Sequence, residues 1–325
     1  MNKRKRSRKD KSAIVYSDKH IEFLAPRYWL TWVSVGSMAL LARLPRGALL
    51  LIGKLLGYVA FLLSSSRRHT TRINIGLCFS ELNPDEQASL VKQTMLDNGI
   101  GFLETCLAWF NPDQIRPDMI EISGEQHLID AVAKGKGVIL VGAHYSTLDL
   151  GGLLMSKYHR VGVMYRANRN PLFDLFMRTA RKKFCASVIE RSDMRSVIRF
   201  IKQGGVMWYA PDQDYGPKQS VFAPFFDVNA ATITVIPRLV KINDSPVLIL
   251  GHHRTADNKG YCVSISKPLN NYPTGDDVAD ATTINRCLEE EIRKYPSQYM
   301  WLHRRFKTRP KGESSFYKSD RSKAS

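Results

Sequence analysis

From residue 119 onward, short β-rich runs alternate with helical stretches, and that alternation limits the chain to few folds. The runs are MIEISG (119–124), GVILVGAHY (137–145), VGVMYRA (161–167), SVIER (187–191), GVMWYAP (205–211), PVLILGHHR (246–254) and GYCVSISK (260–267). Helical patterns fall at 125–134, 147–156, 171–184, 193–203, 231–242 and 279–294. VILVG is apolar at every position, as a strand covered on both faces requires. The expected fold is α/β, with a mainly parallel, partly mixed sheet flanked by helices. Ahead of it, NPDEQASLVKQTMLDNGIGFLETCLAWF reads as a helix with Asn83 as N-cap and Pro84 at its first position.

In an open α/β sheet, ligands gather beyond the carboxyl ends of the strands. VILVG is followed by Ala143, His144, Tyr145, Ser146, Thr147, Leu148 and Asp149. His144 is expected at the strand end and Asp149 in the first turn of the next helix, capped by Ser146 or Thr147, with the two side chains within hydrogen-bonding reach. A neutral imidazole can take the proton of a hydroxyl as it attacks an acyl carbonyl. A carboxylate on the other ring nitrogen fixes the tautomer and stabilises the imidazolium. No serine or cysteine nucleophile is then needed. The H-x-x-x-x-D spacing alone is weak: it recurs at His252 and Asp257, ahead of a polar, turn-rich loop, where it reads as coincidence.

Two apolar runs precede the α/β pattern. YWLTWVSVGSMALLARL covers 28–44, and GALLLIGKLLGYVAFLL covers 47–63, separated by Pro45 and Arg46. A full span needs about 20 apolar residues. The alternatives are one span over roughly 29–49, a hairpin lying in the membrane surface, or a buried helical pair. Tyr28, Trp29 and Trp32 suit an interfacial aromatic belt. The chain divides into a basic tail (1–27), a membrane anchor (28–66), a catalytic domain (67–312) and a C-terminal tail (313–325).

The net charge of +18 points to an anionic partner: nucleic acid, an acidic membrane surface, or an acidic protein. No RNP-like motif, helix-turn-helix signature or zinc finger is present, so a nucleic-acid-binding role has only the charge behind it. The five cysteines are scattered and form no C-x-x-C, which argues against a disulfide scaffold or a zinc site and for a reducing compartment.

GVILVGAHYSTLDL resembles the catalytic block of the lysophospholipid and glycerol-3-phosphate acyltransferase superfamily. YWLTWVSVG, INIGLCFSEL, GFLETCLAWF, YRANRNPLFD, WYAPDQDYGPKQSVFAPFF and QYMWLHRRFKTRP are similar to blocks of the late acyltransferases of lipid A biosynthesis, most of all the lauroyl type. The likeness covers roughly residues 25–312. It implies catalysis by His144 as base with Asp149 as its partner, where many members carry Glu, and substrate handling by Arg166, Arg181 and Asp212. It also implies acyl carrier protein as donor, a Kdo-bearing lipid A precursor as acceptor, the bacterial inner membrane as location with the catalytic domain on its cytoplasmic side, and no metal or cofactor. By the same likeness, nucleic acid is not a partner. Arg304, Arg305, Lys307 and Arg309 are expected to contact the acidic carrier or phosphorylated sugars. A glycerophospholipid acyltransferase is the alternative within the same chemistry.

Overall fold

The computed structural model describes residues 20–317; the basic stretch 1–19 and residues 318–325 lie outside them. Helices α1 (Trp29–Leu41), α2 (Arg46–Leu63), α3 (Ser65–Cys78) and α4 (Pro84–Phe110) come first. The α/β part follows as β1 (Ile120–Ser123), α5 (Glu125–Ala133), β2 (Val138–Gly142), α6 (Leu148–Ser156), β3 (Gly162–Tyr165), α7 (Pro171–Phe184), β4 (Ser187–Glu190), α8 (Met194–Lys202) and β5 (Val206–Tyr209). Then come β6 (Ser220–Phe225), β7 (Val228–Ile233), α9 (Val235–Asn243), β8 (Val247–Arg254), β9 (Tyr261–Ile265) and α10 (Asp277–Lys294).

Seven strands form one sheet in the order β1-β9-β8-β2-β5-β3-β4. The pairings are parallel except β8 with β9, so β9 and β1 run against the rest. This is the mainly parallel, partly mixed sheet expected from the alternation. Along β2 the side chains divide by the two-residue period of a strand. Val138 and Leu140 enter a core with α4, α5, α6 and α7. Ile139 and Val141 enter a second core with α3, α8, α9 and α10. A strand apolar at every position thus serves two cores at once.

Helix α4 begins as its sequence requires. Asn83 Oδ1 accepts from the Asp85 and Glu86 backbone N–H groups at 3.0 Å each, while the Asn83 N–H donates to Glu86 Oε2 at 2.8 Å. This reciprocal box satisfies donors that the first turn would otherwise leave unpaired.

Two expectations need correction here. The run 29–49 is not one helix: it breaks between Leu41 and Arg46, because Pro45 has no N–H and fixes an extended residue there (ψ 148°). Among the described residues, the helix long and apolar enough to cross a membrane is Arg46–Leu63 instead. It packs along α4, where Gly53 and Gly57 meet Gly99 and Ile100; a Cβ on Gly99 would stand 2.3 Å from the Gly53 carbonyl oxygen. Helix α2 is therefore packed closely on α4. Residues 313–317 are not a loose tail either, since the buried Tyr317 donates its hydroxyl to Asn74 and accepts the Phe306 N–H at 3.0 Å.

The expected helix 231–242 is also only partly formed. Its first residues belong to the β6–β7 hairpin, and α9 starts at Val235. Phe226 (φ 49°) and Asp227 (φ 60°) make the turn, in the left-handed region that a tight two-residue hairpin demands.

Candidate active site

Strands β2 and β5 are neighbours with Val141 opposite Tyr209. Three residues further along each chain come His144 and Asp212, side by side beyond the carboxyl edge. His144 Nδ1 lies 2.6 Å from Asp212 Oδ1, and the His144 backbone N–H donates to Asp212 Oδ2 at 2.9 Å. The His144 carbonyl accepts the Met300 N–H at 2.9 Å, so the residue is held on three sides.

Asp212 is fully buried. Burial alone would raise its pKa, but the adjoining His144, through its charge and its two hydrogen bonds, holds it well below the carboxylate range. An ionised carboxylate only accepts hydrogen bonds, so Nδ1 carries the proton of this bond and Nε2 is the ring nitrogen turned away from Asp212. His303 stands behind the pair, its Nε2 3.4 Å from the Asp212 carbonyl oxygen. Burial lowers the His303 pKa to about 4, which keeps that ring neutral.

Asp149 does not make the expected bond to His144. It sits in the first turn of α6, and its oxygens accept from Arg181 Nε at 2.7 Å and Nη2 at 3.0 Å. Opposite charge and a two-pronged fit draw it to the guanidinium. Thr147 does not cap α6 with its side chain; its hydroxyl meets His252 Nδ1 at 2.9 Å instead. His252 is buried and Asp257 lies in an exposed turn, so the second H-x-x-x-x-D is no dyad.

His144, Asp149, Arg166 and Arg181 line one cavity of about 940 Å³. Its wall is largely apolar, with Met155, Val163, Met177, Phe184, Ile198 and Leu239 among the lining residues. The structure thus brings all five expected site residues to one region. Asp212 holds the imidazole from below the cavity rather than handling substrate in it, and Asp149 and Arg181 are tied to each other in its wall. Arg166 is exposed at its edge.

The basic C-terminal block divides differently from expectation. Arg305 is buried, donating to the Ala231 carbonyl at 2.8 Å and to Thr232 Oγ1 at 2.9 Å. Arg309 bonds to Asn229 and Glu313. These two hold the hairpin and the chain end; Arg304 and Lys307 remain exposed. Cys185 touches the cavity, but burial pushes its thiol up to about 12, which disfavours it as a nucleophile. Sequence reasoning passed over His303, Tyr215 and Arg191. The first lies 91 residues from Asp212, and only the fold brings it close.

A buried carboxylate, an oriented imidazole and an apolar cavity beside them suit proton abstraction from a hydroxyl next to a fatty chain. The family model of the bacterial lipid A biosynthesis acyltransferases matches residues 17–308. The chain belongs to that family. It is 38% identical to the lipid A biosynthesis lauroyltransferase of Escherichia coli K12 over 295 residues, 90% of this chain and 96% of that protein. It is 37% identical to the palmitoleoyltransferase of the same organism over 297 residues, 91% of this chain and 97% of that one. The myristoyltransferase of that organism is 29% identical over 299 residues. As a lipid A acyltransferase, the protein is an enzyme of acyl transfer in lipid A biosynthesis.

Proposed function

We propose that the protein transfers a fatty acyl chain, laurate or one of similar length, from acyl carrier protein to the hydroxyl of a 3-hydroxyacyl chain on a Kdo-bearing lipid A precursor. The observation that carries this reading is the grip of Asp212 on His144 beside the apolar cavity. His144 Nε2 takes the proton as the hydroxyl oxygen attacks the thioester carbonyl. Asp212 keeps the ring in the right tautomer and stabilises the imidazolium that forms. The tetrahedral intermediate expels the carrier thiolate, which receives the proton back from His144. One ester forms, one thioester breaks, and the balance needs no metal or cofactor.

Asp149 and Arg181 act in this reading as a positioning pair. Their two-pronged bond ties α6 to α7 and shapes the wall against which the chain lies. Identities of 38% to a lauroyl and 37% to a palmitoleoyl enzyme do not separate chain lengths, so laurate rests on the sequence blocks.

We further propose that the enzyme works on the cytoplasmic side of the inner membrane, with α1 and α2 seated in the lipid surface. Trp29, Leu30, Val33, Leu51, Leu55, Leu62 and Leu63 are exposed on these helices. A free-standing span is disfavoured because α2 lies along α4, whose first turns carry Asp85, Glu86, Lys92 and Gln93. Taking those groups into hydrocarbon would be costly. A surface-lying pair keeps them in water and brings the cavity close to the acceptor lipid.

Mass spectrometry of lipid A from cells with and without the protein tests the reading. The expected difference is one acyl chain, which also gives its length. Identical lipid A in both would refute the assignment, provided no second enzyme of the host adds the same chain.

A further inference from the structure

We propose that Arg166 and Arg191 form a two-arginine clamp for a phosphate group of one of the substrates. The clamp rests on the acyl-transfer reading for the identity of those substrates.

Strands β3 and β4 are parallel neighbours with Tyr165 opposite Glu190. Arg166 and Arg191 are the next residue on each, so the register sets them abreast at the carboxyl edge of the sheet. The Arg191 N–H donates to the Tyr165 carbonyl at 2.8 Å, which carries the pairing one step past the strands. Both side chains are exposed and both line the cavity that holds His144. Neither forms an ion pair or a side-chain hydrogen bond among the described residues. Tyr215, 51% exposed, lines the same cavity.

Glu190, Asp193 and Asp214 turn their oxygens to other donors. Glu190 accepts from the Ser192 N–H at 3.0 Å and from its hydroxyl. Asp193 caps α8 through the Ser196 N–H at 3.1 Å. Asp214 accepts the Gly216 N–H at 2.8 Å and the Thr308 hydroxyl at 2.8 Å. Two like charges thus stand abreast with no ion pair of their own among the described residues. An anion between them would turn repulsion into attraction, and the guanidinium fork fits tetrahedral phosphate oxygens.

Position along the sheet gives the reach. The order β2-β5-β3-β4 puts Arg166 two strands and Arg191 three strands from His144. Strand spacing makes that about 10 and about 14 Å. A substrate bound here would carry its phosphate that far from the reacting carbonyl. Two sources have this chemistry: a sugar phosphate of the acceptor lipid, and the phosphodiester of the carrier's prosthetic arm.

Steady-state kinetics of Arg191→Gln and Arg191→Lys, with each substrate varied in turn, test the clamp. Arg191→Gln is expected to raise the KM of one substrate about tenfold while kcat changes less than about threefold, and Arg191→Lys to recover part of the loss. A rise confined to the lipid assigns the phosphate to the acceptor, and a rise confined to the acyl carrier assigns it to the prosthetic arm. Unchanged KM for both substrates would overturn the clamp while leaving acyl transfer intact. If the wild-type protein turns over neither substrate, the acyl-transfer reading fails instead. Calorimetry with pyrophosphate then judges the clamp by itself: it stands if wild type binds the probe about tenfold tighter than Arg191→Gln, and falls if both bind alike.

Discussion

Asp212 grips His144 twice, with Oδ1 on the ring nitrogen at 2.6 Å and Oδ2 on the backbone N–H at 2.9 Å. The ring and its backbone are thus fixed by one carboxylate that is itself fully buried. Such a bond sets tautomer and orientation together, leaving Nε2 available.

Asp212→Asn keeps the shape but removes the charge, and its amide can offer an N–H where Nδ1–H needs an acceptor. Turnover is expected to fall about 10³-fold with KM nearly unchanged, as for a group that acts mainly in the transition state. Steady-state kinetics check this; a loss carried by KM would assign Asp212 to substrate binding.

The Asp149–Arg181 pair is mostly buried, with side-chain exposures of 11% and 16%. Removing one partner strands the other. Asp149→Ala is expected to cost about 3 kcal/mol in urea unfolding, and Arg181→Met in that background to recover part of it. The two single variants should lose similar turnover, because each releases the same cavity wall. Additive stability losses would contradict the coupling.

Helix α2 meets α4 at glycines. A Cβ on Gly57 would lie 2.5 Å from the Met95 carbonyl oxygen, whereas one on Gly47 meets nothing within 4 Å. Gly57→Ala is expected to destabilise by about 1–3 kcal/mol, and Gly47→Ala to be neutral or slightly stabilising. Thermal unfolding of the two variants in the same detergent compares them.

Burial lowers the pKa of His252 to about 3 and of His303 to about 4. Unfolded, both would titrate near 6.5. Above that pH both states bind no proton and the contribution to stability is complete. Below it the unfolded chain binds protons that the folded one refuses, so stability falls as pH drops from about 6.5 toward about 4. Urea unfolding at pH 7 and pH 5 should show the loss, and His303→Gln should flatten it. Stability that rises on acidification would contradict this sign.

Much of the fold was legible because each element carries its own signal: VILVG is buried throughout, and Asn83 with Pro84 announces α4. The β6–β7 hairpin was not, because Pro224 interrupts its alternation and a Phe occupies a turn position usually given to Asn or Gly. His144 could be found from its place after β2. Its partner could not, since the nearer carboxylate in sequence is Asp149, and the adjacency of β2 and β5 that delivers Asp212 is a property of the sheet order. Arg305 reads as one more surface charge in HRRFKTRP, and only the tertiary structure buries it against Ala231 and Thr232.

The most direct measurement is the rate of product formation by purified wild-type, His144→Ala and Asp212→Asn proteins, given lauroyl-acyl carrier protein and a Kdo-bearing tetra-acylated precursor. The expected result is a product heavier by one lauroyl group from wild type, with His144→Ala slower by at least about 10³-fold at saturating substrate although it folds and binds the donor as before. Undiminished turnover by folded His144→Ala would contradict the account.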